Sequence, residues 1–104
     1  MMMTTMTKRQ QIGGYVYQSG RRDKNEREII DALRGAGASV QQLHAMGVPD
    51  LLVGYRGVNI LLEVKSGKGK LNGQQVDWHA KWQGAVSVVR SPEEALRELG
   101  IVHD

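Results

Sequence analysis

Three residues late in two short apolar runs carry the most chemistry per position: Asp50, just before Leu51-Leu52-Val53, and Glu63 and Lys65 at the end of Val58 to Leu62. Arg56 and Gly57 separate the runs. If they form a two-residue hairpin loop, Tyr55 faces Val58, Leu52 faces Leu61, and Asp50 faces Glu63. Both carboxylates then fall on one face of the sheet. Directly opposed Cβ atoms lie about 4.5–5.5 Å apart, so two ionised carboxylates there repel unless a cation stands between them. Lys65 follows Glu63 by two positions and shares its face. Arginine is not a favoured residue where a type I′ turn requires positive φ, and a slip of one residue would move the two acids to opposite faces. The alternative is a pair of strand-end polar residues with Lys65 as a surface ion pair.

Other residues bear on the same site. At 100° per residue Glu26 lies within about 60° of Ile29, Ile30 and Leu33, on the buried stripe of a helix, whereas Glu28 points the other way. Asp23-x-x-Glu26 is equally a capping box that would only tie down the helix start. Gln75 is ambiguous in the same manner: Asn72-x-x-Gln75 caps a second helix, yet Gln75, Trp78, His79 and Trp82 share one face. Core packing is the expectation for both tryptophans. His44 and His79 could serve as bases or phosphate contacts, although an isolated histidine is more often a satisfied polar residue. The three histidines lack zinc-ligand spacing. Ser19 and Ser66 have no His/Asp partners, and Gly67-Lys68-Gly69-Lys70 lacks the spacing of a nucleotide-binding loop.

The elements that must position these side chains follow from periodicity and caps. Residues 23 to 36 form helix one, with Ile29, Ile30, Leu33 and Ala36 at helical spacing, Asp23 as N-cap and Gly35 or Gly37 as the stop. Ala38 to Leu43 is a short strand, and Val48-Pro49 forces extended backbone. The two apolar runs lack alternation, which predicts strands covered on both faces. Asn72 opens a helix through Gln83, with Leu71 and Val76 as a hydrophobic staple. Ala85 to Val89 is a fourth strand. Ser91-Pro92-Glu93-Glu94 begins a last helix that stops at Gly100. The order is α-β-β-β-α-β-α, without internal repeats.

Composition sets the frame. A chain of 104 residues, 40% hydrophobic and 24% charged, has the balance of one soluble domain. There is no cysteine, which removes disulfides, thiolate metal sites and thiol catalysis. The apolar runs are too short to span a bilayer, and Met1 to Gln11 has no secretory h-region, so a cytoplasmic location is expected. The chain holds 14 basic and 11 acidic residues, but residues 91–104 carry Glu93, Glu94, Glu98 and Asp104 against Arg97 alone. The rest is strongly basic, notably at Lys8, Arg9, Arg21, Arg22, Lys24 and Arg27 and again at Lys65, Lys68 and Lys70, which suits a polyanionic partner. Residues 1–20 read as a flexible basic arm, in which Tyr15 and Tyr17 share a side of an extended chain.

Val48-Pro49-Asp50 followed by Glu63-Val64-Lys65 resembles the PD-(D/E)xK nuclease signature, whose core order is αβββαβ. More narrowly, Asn25-Glu26-Arg27-Glu28-Ile29, Gly47-Val48-Pro49-Asp50-Leu51-Leu52, Leu62-Glu63-Val64-Lys65, the Leu71, Gln75 and Trp78 set, and Val88 to Ala95 look like a small stand-alone VRR-NUC protein of the phage type. The resemblance spans residues 21–100, and archaeal Holliday-junction resolvases are similar in helix one and the two-strand motif. It implies an α/β, restriction-endonuclease-like fold with a central mixed sheet flanked by helices and a C-terminal helix. It also implies that Asp50, Glu63 and the Val64 backbone carbonyl hold Mg²⁺ or Mn²⁺, joined by Glu26 directly or through water. Lys65 would orient or activate the attacking water, with Gln75 beside it. Arg21, Arg22, Lys24, Lys68 and Lys70 would track DNA phosphates. The expected activity is an endonuclease on branched DNA, acting as a homodimer in a bacterial or phage-infected cell. A less selective DNase and a catalytically silent DNA-binding subunit are the alternatives.

Overall fold

The turn between the two apolar runs is the two-residue one. In the computed structural model, which describes residues 20–101 and the side chains from residue 24 onward, Arg56 has φ 53° and Gly57 φ 81°. Positive φ at both central residues is the type I′ turn, whose twist matches that of the strands it joins. Gly57 adopts it freely, while Arg56 bears a steric cost as a residue with a Cβ. The Arg56 guanidinium lies 5.8 Å from the centre of the Tyr55 ring, a contact that offsets part of this cost.

The resulting antiparallel pair joins β2 (Leu51–Tyr55) to β3 (Val58–Val64), with Tyr55 opposite Val58, Leu52 opposite Leu61 and Leu51 opposite Leu62. On one side β1 (Ser39–Gln42) runs antiparallel to β2, and on the other β4 (Val86–Val89) runs parallel to β3. The sheet order is β1-β2-β3-β4 and the sheet is mixed. Parallel pairing requires a crossover, supplied by α2 (Gly73–Lys81) between β3 and β4. Before the sheet comes α1 (Gly20–Gly35) and after it α3 (Pro92–Glu98), giving the expected α-β-β-β-α-β-α order.

Helices α1 and α3 pack together over one face of the sheet. The core there comprises Ile29, Ile30, Leu33, Leu51, Val53, Leu62, Val64, Val89 and Ala95. Ser91 caps α3 by accepting from the Glu94 N–H, with Pro92 at the first helical position, and Gly100 and Ile101 close it with hydrogen bonds back to Arg97 and Leu96. Among the described residues no helix is long and apolar enough to cross a membrane.

Four sequence expectations need correction. Helix α1 begins at Gly20 rather than at Asp23, so Asp23 lies inside the helix and cannot be its N-cap. Helix α2 ends at Lys81, before Gln83, because Trp82 has extended backbone at φ −73° and ψ 129°. Two-sided coverage holds only for residues 61–64 of β3; Leu52, on the face away from the core, is exposed beside an α2 that buries none of its residues, and Val58, next to the turn, is exposed as well. The tryptophans do not enter the core: Trp78 is half-buried and Trp82 is exposed, with the two rings stacked on each other. The expected arm at residues 1–20 lies outside the described residues except for Gly20.

The strained turn yields a direct test. Arg56→Asn exchanges a residue that resists positive φ for one that adopts it readily, and should stabilise the fold by about 0.5–1 kcal/mol after loss of the Tyr55 contact. Thermal melts of the two chains should then differ by about 2–8 °C in Tm. An unchanged or lower Tm would show that the turn carries no net strain.

Candidate active site

With Leu51 opposite Leu62 as the last pair of the β2–β3 ladder, the next position along places Asp50 beside Glu63 and Val64. Asp50 is held from both ends: its carbonyl accepts from the Leu43 N–H at 2.7 Å, and its Oδ2 accepts from the Val64 N–H at 2.8 Å. In a strand the N–H and C=O of one residue point to the same side, so the Val64 carbonyl is directed toward Asp50 as well. Lys65 faces the opposite way, its N–H donating to the Val89 carbonyl at 3.0 Å. Asp50 and Glu63 are 5% and 1% exposed, so two carboxylates are buried side by side at the end of the sheet. Burial of a charge is costly unless it is paired and hydrogen-bonded, which marks this end of the sheet as built for something other than packing.

Gln75 ties the site to α2. Its Nε2 donates to Glu63 Oε2 at 3.1 Å, while its Oε1 accepts from Lys65 Nζ at 2.9 Å and from the Asn72 N–H at 2.9 Å. Asn72 Oδ1 in turn accepts from the Gln75 N–H at 2.9 Å, completing a capping box. Gln75 thus belongs to the cap of α2 and also touches Glu63 and Lys65. Lys65 Nζ also lies 3.6 Å from Glu63 Oε2, so lysine, glutamate and glutamine form a closed triangle around one carboxylate oxygen.

Glu26 is buried at 8% exposure, as its helical phase implies, and Glu28 is exposed. Its Oε2 accepts from Gln42 Nε2 at 3.0 Å, and Gln42 pairs across the sheet with Leu51. Glu26 lines a cleft with Arg27, Ile30, Asp31, Arg34 and Gln42. Among the described residues no group of three or more His, Asp or Glu side chains that could hold a metal is found. The neighbouring Asn25 does reach the site, its Nδ2 donating to the Lys65 carbonyl at 3.1 Å.

Around this centre Lys24, Lys68 and Lys70 are exposed, and Arg21 and Arg22 fall in the first turn of α1. The sequence reading missed Asn25 and Gln42 as supports, and Arg90, which donates to the carbonyls of Gly67 and Gly69 at 3.0 and 2.7 Å and so holds the loop carrying Lys68. No local pattern marks them, because each acts on a residue far away in the chain. His44 is exposed; His79, one turn after Gln75, is half-buried with its Nε2 enclosed and without a hydrogen-bond partner among the described residues. Desolvation pushes the His79 imidazole below its usual pKa, and the nearby Lys65 ammonium lowers it further.

No family model matches the chain, and no curated protein does. A solved structure described as "VRR_NUC domain" is similar over 82% of this chain and 100% of its own, with a TM-score of 0.67 and 24% sequence identity. The chain thus has the fold of a VRR_NUC domain, a small restriction-endonuclease-like α/β architecture with a four-stranded mixed sheet and three helices.

Proposed function

We propose that the chain is a metal-dependent endonuclease that hydrolyses phosphodiester bonds in DNA, selecting branched structures such as four-way junctions. The observation that carries this reading is the buried Asp50–Glu63 pair with Lys65 and Gln75 locked against it. The donor set suits a hard divalent cation: two carboxylates and a strand carbonyl turned to the same side offer only oxygen, and a cation between the acids relieves their mutual repulsion. Asp50, Glu63 and the Val64 carbonyl would hold Mg²⁺ or Mn²⁺, with Glu26 contributing through water. When bound, the cation supplies Lewis-acid neutralisation of charge on the phosphate under attack.

The chain's own residues do the rest. Lys65 Nζ, fixed by Gln75 Oε1 and Glu63 Oε2, is aimed at the space in front of the carboxylates, where it orients a water for in-line attack and stabilises developing negative charge. Gln75 holds that ammonium in place and keeps Glu63 Oε2 oriented. Arg21, Arg22, Lys24, Lys68 and Lys70 contact phosphates on either side of the cut, giving affinity without base readout. Selection by shape fits a chain whose described residues present no recognition helix for a groove. Symmetric branched DNA needs paired cuts, and one chain has one such site, so the active form is a homodimer.

The deciding experiment compares end-labelled four-way junction, flap and plain duplex in Mn²⁺ or EDTA. Metal-dependent cutting, strongest on the branched substrates and arranged symmetrically on the junction, is the expected result; absence of cutting on all three would refute the proposal. Asp50→Asn and Glu63→Gln should each lower the cleavage rate at least about 100-fold. The melting temperature of the metal-free protein should be unchanged or higher in both, because each removes one of two adjacent acids. Lys65→Ala should slow cleavage by about 10²–10³-fold while calorimetry finds Mn²⁺ affinity retained. Replacing Lys68 and Lys70 together by alanine should reduce the slope of log affinity against log salt by about 1.8 on duplex DNA; an unchanged slope would remove that loop from the DNA path.

A further inference from the structure

Trp78 lies on α2 and Trp82 is the residue that caps its end, and neither has been taken up by the core or by the carboxylate site. Their rings are parallel within 18° with centroids 4.6 Å apart, and His79 packs edge-on against Trp78. Trp82 is 47% exposed, a large apolar area for a residue so close to a charged site. Its placement is specific. A Cβ at Gly84 would stand 2.9 Å from Trp82 Nε1, so any larger residue there would push the indole from where it lies against the chain that leads out of the helix. At 1.5 Å rise per residue Trp78 follows Gln75 by about 5 Å along α2, and the Trp82 ring stands 4.6 Å beyond the Trp78 ring. That is about one to three nucleotides of a strand passing the carboxylates.

The surroundings choose the occupant. Residues 65–85 carry Lys65, Lys68, Lys70 and Lys81 against Asp77 alone, which repels a second copy of the same surface and attracts a polyanion. A polyanion that also presents flat π-faces is a nucleic-acid strand with bases out of the duplex stack, since paired bases bury their faces on one another. We propose that the Trp78–Trp82 pair is a stacking platform for unpaired bases next to the scissile phosphate, and that it directs the chain to DNA with single-stranded or unstacked nucleotides near a branch. This rests on the nuclease reading for the position of the cut, but not for its test.

Because the chain has no tryptophan elsewhere, its intrinsic emission reports on this platform alone. Wild-type protein in EDTA, titrated with oligothymidine and with plain duplex while anisotropy of the labelled DNA follows binding, should show emission quenched by oligothymidine and hardly by duplex. Trp82→Leu should weaken oligothymidine binding by about 5- to 150-fold with duplex affinity unchanged. Gly84→Ala, which keeps both indoles but displaces one, should weaken it in the same direction. Binding without quenching, or equal quenching by duplex, would overturn the platform and leave the nuclease reading standing. No DNA binding of either kind would overturn both. Emission that changes with protein concentration alone, or equal quenching by polyglutamate, would give the platform to a self-contact or an acidic polypeptide and overturn the assignment to bases.

Discussion

The geometry of the site hangs on backbone pairing across one tight turn. Once Arg56 and Gly57 close β2 onto β3 in two residues, alternation of side chains leaves no choice about which residue meets which. Leu51 and Leu62 go to the helix-covered face, and the acids that flank them are brought together on the strand ends. The hydrogen bond from the Val64 N–H to Asp50 Oδ2 extends the ladder one step past its last regular pair, using a side chain where a carbonyl would otherwise stand. The carboxylate is thereby part of the sheet's own hydrogen bonding, and its position is as well determined as that of the strands.

Two faces of the sheet serve separate ends. One is filled by α1 and α3 and supplies the apolar burial that stabilises a chain without disulfides. On the other, burial is confined to part of β3, and α2 contributes polar contacts to Glu63 and Lys65 rather than core. Stability and chemistry are divided between the faces, and the exposure of Leu52 and Trp82 on or near the lightly covered one follows from that division.

Much of this was legible in the sequence. The register was calculable from loop length alone, and the burial of Glu26 followed from its helical phase, because both are local periodicities. The capping box of α2 was visible for the same reason. What stayed hidden was long-range. Helix α1 begins earlier than its strongest cap signal. The tryptophans were expected in the core because apolar residues at helical spacing usually face one; whether a third helix meets a fully formed sheet face is decided by its length and connections, and α2 is too short. Asn25, Gln42 and Arg90 hold partners on other elements, at separations that no local pattern encodes.

The double use of Gln75 couples the start of a helix to the arrangement of the buried carboxylates. The same side chain completes the cap that starts α2 and bridges Glu63 to Lys65. A helix of nine residues with none buried is marginal by itself. It belongs among the elements that open locally while the main core stays folded, and its amides should lose their exchange protection early. When its first turn frays, the lysine loses its partner at the same moment as the helix loses its cap. Winding of this one turn and the lysine–glutamine–glutamate contact thus stand or fall together, the contact lasting only for as long as the helix is wound.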